Sequence, residues 1–375
     1  MIARKLFYLC EIAARLDSGM TLQVVHDYGG LARTGWRVAL PVSVGGGEAD
    51  WNSFSEFLRR QGEVEAIRLR GRWRGARIAT VVLRALRHRS NVIVIRELRH
   101  LAAACAVRWL TGALLVSELH EGAFPRPDRR SRRRFAGFLA GLDGVVFTNA
   151  SQRDYLGELG YALPRQQIVL PNGVDYDRFA AATPATGQAP FVLAYTGQFA
   201  AWKNFELLFA ALSHLDHRFR LRIAGGKDNG ESARQVGGLA RRFGVEDRVE
   251  YLGFIHPAEI VSRAISGSAV LLLPLGDNTI SRYATSPMKL IEYLATGIPV
   301  VAVGHPSVVA LAGRDVVHSS NSDPEAFAAA IRAAVAEGGA TRTQRGAKAK
   351  ALAREFDHAR RAARFDAWLS HLQPR

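Results

Sequence analysis

Lys289 and Glu292 stand three residues apart in the stretch Thr285-Ser286-Pro287-Met288-Lys289-Leu290-Ile291-Glu292-Tyr293-Leu294-Ala295-Thr296-Gly297-Ile298-Pro299. Side chains at that spacing share one face of a helix. A lysine in the first turn adds a full charge to the partial positive charge and free N–H groups of a helix N-terminus, which together bind an anion such as a phosphate. A carboxylate one turn later can accept hydrogen bonds from sugar hydroxyls. The plain alternative is a solvated Lys–Glu pair on an amphipathic helix. A second cation, Lys203, follows the turn Gly197-Gln198-Phe199. His120 closes the run Val116-Ser117-Glu118-Leu119, where an imidazole could be a general base, a phosphate contact or a structural hydrogen-bonder. Arg129, Arg130, Arg132, Arg133 and Arg134 crowd one short segment. They are too charged for a buried face, so they form either a solvated helix start or a docking point for anionic lipid.

These groups need a scaffold that sets them at loop and helix ends. Ser286 reads as the N-cap of a short helix, with Pro287 at its first position, Gly297 just past its end and Pro299 as the stop. Met288, Ile291 and Leu294–Ala295 form its core stripe. Strand-like runs alternate with helical patterns through most of the chain, which predicts a doubly wound α/β architecture. In the first half the strands read as Lys5–Ile12, Arg37–Val42, Val64–Arg70, Asn91–Glu97, Ala113–Leu119, Gly144–Asn149 and Gln167–Leu170. In the second half they read as Phe191–Gly197, Arg220–Ala224, Arg248–Phe254, Ala269–Leu275, Pro299–Val303 and Val316–Ser319. Asn172–Gly173 marks a sharp turn between domains, Ala180–Pro190 a linker, and Asn204 a cap for the helix after Lys203. The division expected is 1–175, 176–350 and a final segment 351–375, most of it in one long amphipathic helix, 347–372.

With 375 residues the chain suits two domains, and 48% apolar content suits a good core. Its net charge of +16 is concentrated in residues 1–170, which carry 26 Lys or Arg against 15 Asp or Glu. Such a bias favours anionic surfaces or phosphorylated partners. Cys10 and Cys105 make no disulfide framework, and no apolar run has the length of a membrane helix. The expectation is a soluble cytoplasmic protein, peripheral at the inner face of the membrane, that binds no nucleic acid.

Ser-Pro-Met-Lys-Leu-Ile-Glu-Tyr-Leu-Ala-Thr-Gly-Ile-Pro-Val-Val resembles the nucleotide-sugar signature of family 4 glycosyltransferases of the GT-B fold, in which two Rossmann-like domains face a cleft. Glu292 matches the second glutamate of that signature, and Ala284 stands where the first would be. Gly197 and Lys203 match the family's diphosphate clamp, with Gln198 in place of its arginine. The resemblance implies that Gly197, Gln198, Lys203, Ser286, Pro287, Met288, Lys289, Leu290 and Glu292 hold the donor. Phe254 and Ile255 would receive its base, while Ser18, Gly19 and His120 face the acceptor. His120, Lys203 and Glu292 are the catalytic candidates. The function implied is transfer of a sugar from a nucleoside-diphosphate sugar to an acceptor hydroxyl, of a glycan or lipid-linked glycan in polysaccharide assembly, with retention and without a metal or other cofactor. A nucleotide-sugar epimerase of the same fold and a non-catalytic sugar-nucleotide binder are the rival readings.

Overall fold

The computed structural model describes residues 4–374 apart from 16–18, 45–47, 70–73, 121–123, 126–127, 186, 200–202 and 227–229. The chain divides into two compact units, one of residues 1–173 with 358–375 and the other of residues 174–357.

The first unit runs β1 (Lys5–Tyr8), β2 (Ile12–Ala13), α1 (Gly19–Arg33), β3 (Arg37–Ser43), α2 (Glu48–Arg59), β4 (Val64–Leu69), α3 (Arg74–His88), β5 (Val92–Ile95), α4 (Leu101–Thr111), β6 (Leu114–Leu119), α5 (Arg129–Ala140), β7 (Gly144–Phe147), α6 (Ala150–Glu158) and β8 (Gln167–Val169). Every strand pairing is parallel. Strand β3 lies between β4 and β1, with β2 continuing the β1 side, and β5 to β8 follow in order beyond β1. Because strand side chains alternate, Leu6, Tyr8, Val38, Val92, Val94 and Val116 face one layer of helices. Phe7, Ala39, Ile93, Ile95, Leu115 and Phe147 face the other, which holds α3, α4 and α5.

The second unit runs α7 (Tyr176–Ala180), β9 (Phe191–Gly197), α8 (Leu207–Ser213), β10 (Phe219–Gly225), α9 (Glu231–Phe243), β11 (Val249–Tyr251), β12 (Val270–Leu273), α10 (Met288–Thr296), β13 (Val300–Val303), α11 (Pro306–Ala312), β14 (His318–Ser320), α12 (Pro324–Ala336) and α13 (Gly339–Glu355). Its parallel sheet has the order β11-β10-β9-β12-β13-β14. The order reverses at β9, and the crevice outside such a reversal is where ligands of doubly wound sheets bind. The last helix, α14 (His358–Ser370), belongs to the first unit, where it lies against α1.

Several elements differ from the sequence reading. The first strand ends at Tyr8, and only Ile12–Ala13 returns to pair with β3. Helix α2 was not anticipated, although Trp51, Phe54 and Leu58 have helical spacing and Phe54 and Leu58 are buried. The long final helix breaks at Phe356–Asp357, where the Val174 N–H donates to Phe356 O at 2.9 Å and Val174 pairs with Asp357. No glycine or proline marks that break.

Candidate functional site

In the second unit, the glycines that end the central strands lie together. Gly225 N–H donates to Gly253 O at 2.8 Å and Gly226 N–H to Gly197 O at 3.1 Å. A Cβ on Gly225 would sit 2.0 Å from Gly197 O, so only glycine permits this approach. A Cβ on Gly197 would lie 3.7 Å from Lys289 Cε, which places the lysine side chain at the end of β9. Lys289 Nζ donates to Glu292 Oε2 at 2.7 Å, with side chains 30% and 12% exposed. The pair foreseen on one helix face is therefore formed, and it sits at the topological switch of the sheet.

Helix α10 starts one residue later than expected. Pro287 is the N-cap and Ser286 lies outside the helix, both buried. The Pro287 carbonyl accepts from Leu290 N–H at 2.9 Å, and the ring fixes the entry without a side-chain cap. The core stripe is also wider: Leu290, Ile291, Tyr293, Leu294 and Ala295 are buried, whereas Met288 is half-buried. Gly297 takes the left-handed conformation that ends the helix, at φ 72°.

Lys203 is half-buried and Gln198 exposed, on a loop shaped by aromatic rings. Phe199 stacks on Phe205 with centroids 4.0 Å apart, Tyr195 and Tyr251 flank Phe199, and Tyr195 Oη donates to Gln198 O at 2.9 Å. Asn204 does not cap the next helix: it has φ 48° and the N-cap is Glu206. Phe254 is 41% exposed, while Ile255 is buried. They lie in a loop after β11, which ends at Tyr251 and not at Phe254. Arg282 pairs with Asp277, so its charge is already engaged.

In the first unit, Tyr8 ends β1 while Arg96 and His120 directly follow β5 and β6, and all three are buried. Arg96 Nη2 lies 2.9 Å from His120 Nδ1, and a guanidinium can only donate. The lone pair of Nδ1 is thereby used, and the proton of the neutral ring is on Nε2, 3.7 Å from Glu118 Oε1. In this arrangement His120 is a donor and has no lone pair to act as a base. Glu118 also accepts from Tyr28 Oη at 2.9 Å and from Arg361 Nη2 at 2.6 Å. Burial raises its carboxyl pKa, but the polar His120 ring beside it and the Arg361 charge outweigh that and hold it below the usual carboxylate range. Arg361 in turn lies 3.4 Å from Asp27, whose carboxylate meets His358 Nδ1 at 2.9 Å.

Gly19 opens α1 with nothing within 4 Å of a Cβ, and Ser18 lies outside the described residues. Arg129, Arg130, Arg132, Arg133 and Arg134 are exposed on α5, capped by Asp128, which accepts from Ser131 N–H at 2.8 Å. A cavity of about 690 Å³ opens at the other edge of this sheet, beside Arg89, Asn91 and Leu110, away from His120. No group of His, Cys, Asp or Glu suited to a metal ion occurs among the described residues.

Residues 18–173 match the family model described as glycosyl transferase 4-like domain, and residues 190–337 match glycosyl transferases group 1. The chain belongs to the group 1 glycosyltransferases. D-inositol 3-phosphate glycosyltransferase of Geodermatophilus obscurus is 29% identical over 216 residues, covering 53% of this chain and 46% of that protein. The putative colanic acid biosynthesis glycosyltransferase WcaL of Escherichia coli is 28% identical over 156 residues, covering 40% and 37%. The matched stretches thus span about half the length of these curated relatives or less. Among solved structures, Anabaena HepE in complex with UDP-glucose superposes with a TM-score of 0.74 at 17% identity, covering 98% of this chain and 100% of that one. A glycosyltransferase from Rickettsia africae gives 0.77 at 16% identity over the whole of both chains. The fold is GT-B.

Three placements in this group 1 glycosyltransferase were not foreseen from sequence. Arg96 sits at the switch between β1 and β5, where its only signal was a polar residue after an apolar run. Arg361 meets Glu118 across 243 positions of sequence. Tyr293 secures α10 to Thr196 at the end of β9. Ala284, at the position of the family's first glutamate, is fully buried at the end of a π-helical turn, Ile280–Ala284.

Proposed function

We propose that this chain transfers a sugar from a nucleoside-diphosphate sugar to an acceptor hydroxyl, with retention of configuration and without a metal or other cofactor. The observation that carries the reading is Lys289, paired with Glu292 at the head of α10 and lying against Gly197 at the end of β9. The diphosphate would take the Lys289 ammonium and the α10 N-terminus, with Lys203 as a second cation, Gly197 and Gln198 beside it, and Ser286, Pro287, Met288 and Leu290 shaping the approach. Glu292, released from Lys289, would bind the hydroxyls of the sugar. Charge developing on the departing diphosphate would meet cations already in place, which is where such catalysis gains most. The exposed ring of Phe254 and the Ile255 backbone would take the base. UDP bound to HepE supports a uridine donor.

In the first unit, Ser18, Gly19 and His120 are proposed to face the acceptor and the reacting sugar, with His120 lending its Nε2–H to an oxygen. The acceptor proposed is a glycan or lipid-linked glycan in cell-surface polysaccharide assembly at the cytoplasmic face, and the likeness to a putative colanic acid biosynthesis glycosyltransferase supports the biosynthetic role alone. Calorimetric titration of UDP, GDP and their hexose conjugates, followed by assays of sugar transfer and donor hydrolysis with glycan extracts, tests the reading. Absence of nucleotide binding, or binding unchanged in both Lys289→Ala and Lys203→Ala, overturns it. Conversion of the donor without an acceptor would turn it into the epimerase reading.

A further inference from the structure

Helices α3, α4 and α5 cover one face of the first sheet, and their sequences hold ten arginines with no aspartate or glutamate. Their inner sides are apolar and closed: Val81 and Ala85, Ala104 and Val107, Phe135 and Phe138 pack on the strands. Their outer sides differ from an ordinary solvated surface. On α4 the outward stripe is Ala102, Cys105, Ala106 and Trp109, all exposed, with Trp109 at 84% and Leu110 at 58%. On α3 it is Ala76, Ala79, Leu83 and Arg87. Of the six large apolar side chains exposed among the described residues, Ile78, Leu83, Trp109 and Leu110 lie on these two helices. On α5 the outward positions are Arg130 and Arg133, opposite buried Phe135 and Phe138.

Arg77 and Arg108 are held by Glu11 and Asp143 from other elements, so the charge of this face comes from Arg84, Arg87 and the α5 arginines. Together with the exposed tryptophan and leucines it needs a partner that is negative and apolar at once. A bilayer with anionic headgroups offers both, with charge at its surface and acyl chains beneath. A second copy fits poorly, because face-to-face pairing would set one arginine array against the other. A nucleic acid would meet the arginines but gain nothing from Leu83 or Leu110. We propose that the outer face of α3, α4 and α5 docks on anionic membrane, with Trp109 and Leu110 entering the interface and the α5 arginines on headgroups. The proposal does not depend on the donor chemistry.

The whole chain is tested by co-sedimentation with vesicles of phosphatidylcholine alone or with about one third phosphatidylglycerol. Binding is expected only to the anionic vesicles and is expected to fall as salt rises from about 50 to 500 mM, because screening shortens the reach of surface charges. Each arginine near such a surface contributes about fivefold in partitioning, so Arg130→Glu with Arg133→Glu lowers binding by about 25-fold or more. Trp109→Ser lowers it by about tenfold. Reversal of Arg234 and Arg241, exposed on α9 of the other unit, changes it less than twofold. Unaltered circular dichroism and melting of the Trp109 and arginine variants keep the reading on the surface and not on folding. Equal binding to neutral vesicles, no binding, or variants that bind like the parent overturn the proposal. A soluble dimer lost in Trp109→Ser, or RNA displacing the vesicles, assigns the face to another occupant and overturns it equally.

Discussion

Tyr293 Oη accepts from Thr196 N–H at 2.8 Å and lies 3.1 Å from Thr196 Oγ1, a fully buried link between the middle of α10 and the end of β9. It holds the Lys289 side of the helix over Gly197. In Tyr293→Phe the Thr196 amide loses its partner inside the core, at a cost of about 1–3 kcal/mol. Urea denaturation should show that loss, and calorimetry should show weaker nucleotide binding although no group that would touch the ligand has changed.

Lys289 and Glu292 should separate on titration. Lys289→Ala removes a charged contact to the diphosphate and is expected to weaken UDP binding by about tenfold or more. Glu292→Gln should leave UDP within about threefold while weakening UDP-sugar, since the carboxylate is assigned to the sugar. Equal losses for the two ligands would contradict that assignment.

Gly225→Ala tests the glycine cluster. Its Cβ would stand 2.0 Å from Gly197 O at φ 130°, and neither backbone can move without breaking the β9–β10 register. A loss of at least about 3 kcal/mol is expected, with loss of nucleotide binding. Gly19→Ala, where nothing lies within 4 Å, is the matched control and should change stability little.

Glu118 predicts an acid limit for the first unit. Its folded carboxyl pKa is depressed below the ordinary glutamate value of about 4.5. Its contribution is therefore complete above that unfolded value and is lost as pH falls below it toward the folded pKa. Melting temperature should drop on acidification below about pH 4.5, and Glu118→Gln should flatten that part of the profile. At neutral pH the same change leaves Arg361 less compensated in the core and should cost about 3–5 kcal/mol.

The second unit has its own acid response. Burial lowers the pKa of His305, and its Nε2 lies 2.9 Å from Gly276 O. A histidine whose folded pKa is depressed binds its proton more readily when unfolded, so stability is present above the unfolded pKa of about 6.5 and declines below it. His305→Asn should lower stability at pH 8 and reduce its slope between about pH 6.5 and 5.

The residues that repeat over short range were legible in the sequence. Strand alternation, the Gly297 stop and the Lys289–Glu292 spacing are local properties, and the structure contains all three. Ser286 was misplaced because serine and proline can both precede a helix, and the register is set by packing of Leu290, Ile291 and Tyr293. The break at Phe356–Asp357 left no trace, because it is made by a hydrogen bond from Val174, far away in sequence. The same distance hid Arg361 from Glu118. Phe199 and Phe205 were visible as aromatics, but nothing local says that they stack to hold the loop before Lys203.

Gly173 and His358 are neighbours in the first unit: a Cβ on the glycine would come 2.2 Å from His358 Nδ1. Phe365, Leu369 and Leu372, from the end of the chain, fill the same core as Leu6 and Tyr8 from its beginning. On a ribosome the first unit is therefore started first and completed last. The second unit, residues 174–357, emerges in full while the buried Glu118 still awaits Arg361. A frameshift or stop codon after residue 357 would spare the half translated second and leave open the half translated first.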